Sequence, residues 1–397
     1  MCASCIHDDD SIKDLWSIDK IEDMQAVLLN WFALHGRHWI PWKLKPNGAL
    51  PEKLEKLPVY PIWIAEVMLQ QTQLKVVLPY WKNWMKAFPT LVDLAHAGDH
   101  EVLLLWQGLG YYSRAKRTHQ SAKKLLEIIG SNNSLNPLAW PVSISTWVDL
   151  PGIGRTTAAS IISSAFDLPE ALLDGNVKRI LSRLIGNEQS LSRSSSKLWS
   201  LSNDLLDYDS PRNFNQALMD LGATVCLPKN PKCFCCPWKS YCCAYYQGDP
   251  SKFPMKAPKK ALPNLVIGIG IVFNDFGEIL IDQRKPDQTM GSMWEFPGGK
   301  QEKGELIEDT VIREIHEELG VHIKVLQNLI EFDHCYSHKK LHFVVYICKL
   351  SSGIPKPLSS LQTKWVKPDD LINYPFPAAN KYMIKALQDY IVPSKEK

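Results

Sequence analysis

The first part of the chain repeats hydrophobic residues with the period of an α-helix. Two segments show this most clearly, Val27-Leu28-Trp31-Phe32 and Val177-Ile180-Leu181-Leu184. Spacings of three and four residues place side chains on one face of a helix, where they can pack against a core. The pattern predicts an all-α domain over residues 21–248, after a weakly ordered extension over residues 1–20. A stretch rich in proline and lysine at 43–61 predicts a long loop within this domain.

The pattern changes after Gly248. Residues 249–263 are rich in proline and lysine and predict an extended basic linker. The apolar run at 266–273 predicts a strand, with a hairpin partner at 278–281. A helical pattern follows at 305–319 and another strand pattern at 341–350. The sequence therefore predicts a smaller α/β domain over residues 264–393.

The composition is that of an ordinary globular protein. Of the 397 residues, 45% are hydrophobic and 22% are charged, and the formal net charge is only +3. Any binding of nucleic acid must therefore come from a local surface and not from overall charge. No apolar run is long enough to span a membrane, and residues 1–10 lack the apolar core of a secretory signal. We expect a cytoplasmic monomer with no membrane partner.

Ten cysteines in a reducing compartment need an explanation other than disulfide bonds. Six of them lie between positions 226 and 243, and four have the spacing C-x6-C-x2-C-x5-C, namely Cys226, Cys233, Cys236 and Cys242. Four thiolates in a short loop can hold a zinc ion or an iron–sulfur cluster. Zinc ribbons usually pair two C-x2-C knuckles, whereas this segment has one. The adjacent Cys235 and Cys243 are expected not to be ligands.

A tight glycine turn precedes a predicted helix in the middle of the all-α domain. Gly152 and Gly154 stand in the string Leu-Pro-Gly-Ile-Gly, directly before Arg155. Glycines let a backbone approach closely, and N–H groups at a helix start bind phosphate. The turn resembles the hairpin of DNA-binding helix–hairpin–helix motifs.

Two carboxylates stand out from their surroundings. Asp174 precedes an amphipathic helix, a position where aspartate is a common N-cap. Glu66 lies in an apolar segment, and helical spacing places Glu66, Gln70 and Gln73 on one face. A carboxyl group among apolar neighbours has a raised pKa and can keep its proton at neutral pH.

Several segments together resemble one family. Residues 66–73 read Glu-Val-Met-Leu-Gln-Gln-Thr-Gln, and residues 108–114 read Gly-Leu-Gly-Tyr-Tyr-Ser-Arg. With the cysteine spacing, they resemble the MutY-type adenine DNA glycosylases of the endonuclease III superfamily, over residues 27–245. The resemblance implies a helix–hairpin–helix glycosylase domain with a [4Fe-4S] cluster held by the four cysteines at 226–242. It also implies hydrolysis of the N-glycosidic bond of adenine mispaired with 8-oxoguanine or guanine in duplex DNA.

The resemblance also implies roles for individual residues. Glu66 would protonate adenine at N7, and Asp174 would stabilise the cationic sugar, or attack it transiently, before water adds, as in glycoside hydrolysis. The base must first be flipped out of the duplex. Gln71 and Tyr111 match residues that wedge into the DNA beside 8-oxoguanine. Asn176 matches a residue that supports the active site.

The C-terminal domain contains the string Gly-x5-Glu-x7-Arg-Glu-Ile-His-Glu-Glu-Leu-Gly, which begins at Gly299. It resembles the Nudix box at every fixed position, and the domain resembles the 8-oxo-dGTP hydrolase MutT. Three carboxylates on one helical face can hold Mg²⁺, namely Glu314, Glu317 and Glu318. By the same resemblance, Ser337 and Asn380 match residues that contact 8-oxoguanine.

Three alternatives remain beside a monofunctional glycosylase. The complete Nudix box allows a bifunctional enzyme that also hydrolyses 8-oxo-dGTP. A lesion-binding protein without catalysis is another alternative, although the pair Glu66 and Asp174 argues against it. A glycosylase that also cuts the strand needs a lysine amine for a Schiff base. By the resemblance this lysine belongs just after the hairpin, where the chain has Thr156, so strand cleavage is not expected.

Overall fold

The computed structural model describes residues 16–191, 193–255, 263–336 and 339–391. Most of the predicted N-terminal extension and residues 256–262 of the predicted linker lie outside these ranges. By their internal contacts the described residues divide into two compact units. Unit 1 contains residues 16–96 and 120–255, and unit 2 contains residues 97–119 and 263–391.

Helices cover most of the described chain up to residue 255. In chain order they are α1 (Ile18–His35), α2 (Val59–Leu69), α3 (Leu74–Ala87), α4 (Leu91–His96), α5 (Asp99–Trp106), α6 (Ser113–Ile129), α7 (Ile144–Val148), α8 (Arg155–Phe166), α9 (Gly175–Leu184), α10 (Ser195–Leu205), α11 (Pro211–Thr224) and α12 (Cys243–Tyr246). α5 and the first turns of α6 belong to unit 2. The predicted all-α character of this part of the chain is confirmed. Among the helices in the described ranges, none has both the length and the apolar character needed to cross a membrane.

The main core of unit 1 forms where α1, α9, α10 and α11 meet. The predicted apolar stripe of α9 is buried there, namely Val177, Ile180, Leu181 and Leu184. Trp238, from the cysteine segment (residues 226–243), belongs to the same core and is only 1% exposed. Its indole Nε1 donates a hydrogen bond to the backbone oxygen of Met24 at 2.8 Å. The cysteine segment is therefore anchored in the core of unit 1.

The predicted common helical face of Glu66, Gln70 and Gln73 is wrong. Helix α2 ends at Leu69, Gln70 is its C-cap, and Gln73 is the N-cap of α3. Gln71 between them has a φ of 58°, a left-handed value that an α-helix does not contain. The turn contains no glycine or proline, so the sequence carries no local signal of the break.

Unit 2 is built on a mixed β-sheet. Its strands are β1 (Asn264–Phe273), β2 (Ile279–Gln283), β3 (Trp294–Glu295), β4 (Gly298–Lys300), β5 (His322–Tyr336), β6 (Lys339–Ser352) and β7 (Gln362–Val366). The strand order is β3-β2-β1-β6-β5, with β4 paired to β1 and β7 paired to β2. β1 and β6 are parallel, and the other pairs are antiparallel. The predicted pairing of β1 with β2 is confirmed, with Phe273 opposite Ile279.

Two helices cover the two faces of this sheet, α13 (Ile307–Leu319) and α14 (Asn380–Ile391). α13 buries its predicted apolar stripe, Val311, Ile315 and Leu319, in one core. α14 contributes Met383 and Leu387 to the core on the other face. Because side chains alternate along a strand, β1 contributes to both cores, which explains its nearly continuous apolar sequence. Strands β5 and β7 and helix α14 were not in the sequence prediction.

Replacing Trp238 by alanine is expected to lower the free energy of unfolding by about 3–5 kcal/mol, because it removes a large side chain from a packed core. The matched control is Phe234→Ala in the same segment, where the side chain is 82% exposed. The control should change stability by less than about 0.5 kcal/mol. Denaturant unfolding followed by circular dichroism measures both variants. If Trp238→Ala and Phe234→Ala had the same free energy of unfolding, Trp238 would not anchor the segment.

Candidate active site

Glu66 lies in α2, is partly buried, and has a strongly perturbed acidity. Burial raises the pKa of Glu66 to about 7. The hydroxyl of Ser160 lowers this pKa, the carboxylate of Asp174 raises it, and the ammonium of Lys43 lowers it. The raised pKa expected from the sequence is confirmed. Near neutral pH, a substantial fraction of the Glu66 carboxyl groups is therefore protonated.

Asp174 caps the N-terminus of α9. Its Oδ1 accepts a hydrogen bond from the backbone N–H of Val177 at 2.7 Å, and its Oδ2 accepts one from Nδ2 of Asn176 at 3.0 Å. The N-cap predicted from the sequence is confirmed. Burial raises the pKa of Asp174, although these hydrogen bonds favour the charged form. The structure brings Asp174 close enough to Glu66 to raise the pKa of Glu66.

A chain of hydrogen bonds leads from Asp174 into the cysteine segment. Oδ1 of Asn176 accepts a hydrogen bond from Nη2 of Arg179 at 2.9 Å, and Nε of Arg179 donates to the backbone oxygen of Cys226 at 2.8 Å. Nη2 of Arg179 also donates to the backbone oxygen of Gly222 at 2.8 Å. A Cβ at position 222 would lie 2.6 Å from Cβ of Asn176, so only glycine leaves room for this side chain. The partner of Asp174 is thus fixed by packing and by hydrogen bonds.

Arg183 lies one turn further along α9 and is buried against the same segment. Its Nη1 lies 3.3 Å from Sγ of Cys226 and donates to the backbone oxygen of Leu227 at 2.7 Å. Its Nε donates to the backbone oxygen of Phe253 at 3.0 Å. A buried guanidinium beside sulfur can compensate for the negative charge of thiolate ligands.

The cysteine segment places its four predicted ligands around one small cavity, lined also by Arg183 and Lys239. Cys235 is exposed. Burial raises the pKa of Cys236 to about 12 and that of Cys242 to about 11, so metal binding would have to displace these protons. Within the described ranges, no three His, Cys, Asp or Glu side chains lie close enough together to bind a single metal ion. Four cysteines around a shared cavity are the type of ligand set that iron–sulfur clusters use.

The glycine turn lies between α7 and α8. Gly152 has a φ of 81°, which favours glycine, and Gly154 is the N-cap of α8. Both glycines are exposed, so their N–H groups are accessible to a phosphate. Nε2 of Gln70 donates to Oγ1 of Thr157 at 3.1 Å, which ties the end of α2 to the helix that follows the hairpin. The turn is thereby held at a fixed position relative to Glu66.

The two residues expected to wedge into DNA share an unusual backbone conformation. Gln71 in unit 1 has a φ of 58°, and Tyr111 in unit 2 has a φ of 50°. Both side chains are exposed. Left-handed values at such residues cost on the order of 1–3 kcal/mol and are concentrated at functional sites. No glycine or proline signal in the sequence predicts a left-handed backbone at either residue.

A buried ion-pair cluster next to Glu66 was missed by the sequence analysis. Nζ of Lys43 lies 3.1 Å from Oδ2 of Asp220, and Nη2 of Arg37 lies 2.6 Å from Oδ1 of Asp220. Burial lowers the pKa of Lys43, while Asp220 opposes this effect. Lys43 and Asp220 are 177 positions apart, so no local sequence signal connects them. Their effect is to place a positive charge near the Glu66 carboxyl group.

In unit 2, Arg313 organises part of the Nudix box. It forms ion pairs with Glu305 at 2.8 Å, Glu314 at 3.0 Å and Glu317 at 3.3 Å. The hydrogen bonds from Arg313 lower the pKa of Glu305 to about 2. The guanidinium therefore holds two of the three predicted magnesium ligands on one side of α13.

The third predicted ligand, Glu318, faces the sheet. It accepts a hydrogen bond from the backbone N–H of Gly298 at 3.2 Å. Burial raises its pKa to about 7, and Glu295 contributes to the rise. At the neighbouring Gly299, a Cβ would lie 2.3 Å from the carboxyl carbon of Glu314, so a larger residue there would displace this carboxylate. In the part of the chain that the structure describes, these carboxylates do not form a ready-made metal site.

Of the two predicted contacts to 8-oxoguanine, one can be located. Asn380 is the first residue of α14 and is buried. Ser337 lies outside the described residues. Its neighbour Tyr336 ends β5, and burial raises the pKa of Tyr336 to about 12. The recognition of 8-oxoguanine by this unit stays a prediction.

Comparison with known families identifies both domains. Residues 64–203 match the family described as "HhH-GPD superfamily base excision DNA repair protein", and residues 268–386 match the family described as "NUDIX domain". The helical fold, the glycine turn and the paired carboxylates agree with the first match, and the sheet with α13 agrees with the second. The protein is therefore a base-excision-repair DNA glycosylase of the helix–hairpin–helix class that carries a Nudix domain.

Related proteins that align with most of the chain identify the family within this class. The chain is 33% identical to the adenine DNA glycosylase of Mus musculus, over 92% of this chain and 78% of that protein. It is 32% identical to that of Homo sapiens, over 94% and 75% of the two chains. It is also 32% identical to that of Buchnera aphidicola subsp. Acyrthosiphon pisum (strain APS), over 82% and 86%. The chain belongs to the adenine DNA glycosylase family, and the fold and enzyme class predicted from the sequence are confirmed.

Replacing Arg179 by methionine is expected to lower the free energy of unfolding by about 2–4 kcal/mol. The change keeps much of the side-chain volume but leaves the carbonyl oxygens of Gly222 and Cys226 without a donor. Lys178→Met, at the next position of α9, is the matched control and should shift stability by less than about 0.5 kcal/mol. Denaturant unfolding measures both variants. If the free energies of unfolding of Arg179→Met and Lys178→Met differed by less than about 0.5 kcal/mol, the bridging role of Arg179 would be contradicted.

Proposed function

We propose that the chain hydrolyses the N-glycosidic bond of adenine paired with 8-oxoguanine or guanine in duplex DNA and leaves the strand intact. One observation carries the proposal: Glu66, with a pKa of about 7, shares a site with Asp174, which the start of α9 holds in place. The pair matches the two demands of the reaction, a proton for the leaving base and a negative charge beside the sugar. The names of the relatives, adenine DNA glycosylase, support adenine as the base.

Each residue of the pair has one role in the proposed reaction. The Glu66 carboxyl group gives its proton to N7 of adenine. The bond between the sugar C1′ and N9 then breaks, its electron pair leaves with the base, and the sugar becomes an oxocarbenium-like cation. The Asp174 carboxylate stabilises this cation until water adds to C1′ and releases a proton. Asn176 keeps the carboxylate oriented through its hydrogen bond to Oδ2.

Binding of DNA is proposed for three further features. The exposed backbone at Gly152 and Gly154 can bind a phosphate of the strand that carries the adenine. Gln71 and Tyr111 would each wedge into the DNA beside 8-oxoguanine. Both residues have a left-handed backbone, a conformation that is concentrated at functional sites.

The absence of strand cleavage is proposed from the residue at the hairpin. Thr156 occupies the position where the related lyases carry a lysine, and its Oγ1 donates to the backbone oxygen of Leu173 at 3.2 Å. A threonine hydroxyl cannot form a Schiff base with the opened sugar. The product should therefore be an intact strand with an abasic site.

A [4Fe-4S] cluster is proposed as the cofactor of the cysteine segment, with ligands Cys226, Cys233, Cys236 and Cys242. When bound, it would cross-link the segment and offset part of the negative charge of the four thiolates. The fit rests on the shared cavity and on the guanidinium of Arg183 beside Cys226. The segment then presents a fixed backbone to Arg179, and through it to Asn176.

The function is tested by a single-turnover assay on a duplex with one adenine opposite 8-oxoguanine, followed by alkali. Strand breaks are expected only after alkali, and a duplex with adenine opposite thymine should remain uncut. The rate should fall about tenfold per pH unit above pH 7, because Glu66 loses its proton there. Strand breaks before alkali would show lyase activity, and borohydride would then reduce the Schiff base to a covalent adduct of protein and DNA. This result would overturn the proposed monofunctional reaction.

Variants test the two roles separately. Glu66→Gln and Asp174→Asn should each slow excision by at least about 100-fold, because they remove the proton and the charge with little change in shape. Glu22→Gln, at an exposed position of α1, is the control and should keep the wild-type rate. An Asp174→Asn variant with wild-type activity would exclude the proposed stabilising role.

A second activity is proposed for unit 2, the Mg²⁺-dependent hydrolysis of 8-oxo-dGTP. The observation that favours it is the ordered Nudix box. Arg313 orients Glu314 and Glu317, and Glu318 lies beside the backbone of Gly298. Such carboxylates can hold Mg²⁺, which binds through a few carboxylates and the substrate phosphates. The alternative is that the unit only recognises 8-oxoguanine in DNA through Ser337 and Asn380.

Release of pyrophosphate from 8-oxo-dGTP distinguishes a hydrolase from a unit that only recognises 8-oxoguanine in DNA. If the box is active, release should require Mg²⁺ and fall by at least about 100-fold in Glu317→Gln and in Glu318→Gln. Glu302→Gln, at an exposed position outside α13, should keep the activity. No release from the wild-type protein would leave recognition of 8-oxoguanine as the role of the unit.

A further inference from the structure

Helices α2 and α8 face each other in antiparallel orientation, and two hydrogen bonds fix their register. The backbone N–H of Leu57, just before α2, donates to the backbone oxygen of Ala165 at 2.8 Å. At the other end, Nε2 of Gln70 donates to Oγ1 of Thr157 at 3.1 Å. Between these points, one turn back from Gln70 and one turn on from Thr157, the register places Glu66 opposite Ser160. Both belong to unit 1.

Ser160 is an unusual residue for this place in the core. It is only 2% exposed, and within the described ranges its Oγ makes no hydrogen bond of good geometry. A buried hydroxyl without a strong partner is unfavourable, whereas alanine at the same helical position would avoid the loss. The polar group it faces is the carboxyl group of Glu66, whose pKa it lowers.

We propose that Ser160 is a positioning residue for adenine excision, whose hydroxyl donates a hydrogen bond to the Glu66 carboxylate as that group gives up its proton. The inference rests on the proposed role of Glu66 as the acid. Before proton transfer the carboxyl group needs its proton for the base, so the contact with Ser160 is loose. After transfer the carboxylate is a stronger acceptor, and the hydroxyl stabilises it. In this step one proton moves from the Glu66 carboxyl group to N7 of adenine, and the Ser160 hydroxyl keeps its own proton.

Two charged side chains, Asp174 and Lys43, also influence the pKa of Glu66. Asp174, at the start of α9, raises the pKa of Glu66, and Lys43, held by Asp220, lowers it. Arg37 completes the ion-pair cluster around Asp220. Ser160 adds a neutral hydrogen bond from α8 to this set. Because it carries no charge, it favours the carboxylate without attracting or repelling the cationic sugar.

The test is the pH dependence of single-turnover adenine excision by Ser160→Ala. The alkaline limb of the profile, which reports the proton on Glu66, should move upward by about one pH unit, because the carboxylate loses its donor. Below this limb, where Glu66 keeps its proton in both proteins, the variant should be up to about tenfold slower than the wild type, because the carboxylate formed by proton transfer loses its donor. The acid limb, which reports Asp174, should stay in place.

Two further variants separate this role from a packing effect. Ser160→Cys keeps the shape but has a weak donor, so its profile should resemble that of Ser160→Ala. Ser182→Ala removes an equally buried hydroxyl in α9 that also lacks a hydrogen bond of good geometry within the described ranges, and its profile should match the wild type. Thermal unfolding of each variant verifies that the fold is retained.

The outcomes distinguish this inference from the proposed function. If Glu66→Gln is inactive but the alkaline limb of Ser160→Ala coincides with that of the wild type, Ser160 has no positioning role and Glu66 remains the acid. If Glu66→Gln keeps full activity, both proposals are overturned. A shift in Ser182→Ala equal to that in Ser160→Ala would assign the effect to packing and reject the inference.

Discussion

The capping of α9 by Asp174 is the interaction on which the proposed catalytic arrangement depends. The carboxylate satisfies an N–H group at the helix start, and this bond also fixes its position. The same ten-residue helix carries Arg179 and Arg183, which contact Cys226 through its backbone oxygen and its sulfur. Helix α9 therefore connects the position of the Asp174 carboxylate to the folding of the cysteine segment. Loss of structure in the cysteine segment would therefore disturb the position of Asp174, because α9 contacts the segment and carries Asp174 at its start.

The acidity of Glu66 results from opposing effects of similar importance. Burial alone would hold its proton tightly, and full exposure would leave it ionised at neutral pH. The positive charge of Lys43 and the hydroxyl of Ser160 oppose burial, and the pKa settles at about 7. A general acid works best when its pKa lies near the working pH. The ion-pair cluster around Asp220 thus helps to set the pKa of Glu66, although it lies outside the pair of carboxylates.

The two units differ in how far local sequence predicts their function. In unit 2, the Nudix box lies within one turn and one helix, so its residues can be read from a single string. The same string does not show that Arg313 forms ion pairs with Glu314 and Glu317 while Glu318 faces the sheet. That division depends on how α13 packs on the strands. Whether the carboxylates bind Mg²⁺ is therefore a question about geometry and not about the motif.

The sequence by itself determined the features that arise from neighbours along the chain. These are the division into helical and α/β parts, the apolar stripe of α9, the N-cap at Asp174, the glycine turn and the cysteine spacing, because capping and periodicity act over a few residues. Tertiary structure alone decided the end of α2 at Leu69, the strain at Gln71, and the meeting of Lys43, Ser160 and Asp174 around Glu66. Those contacts join distant segments, and their energies depend on burial, which no local pattern records.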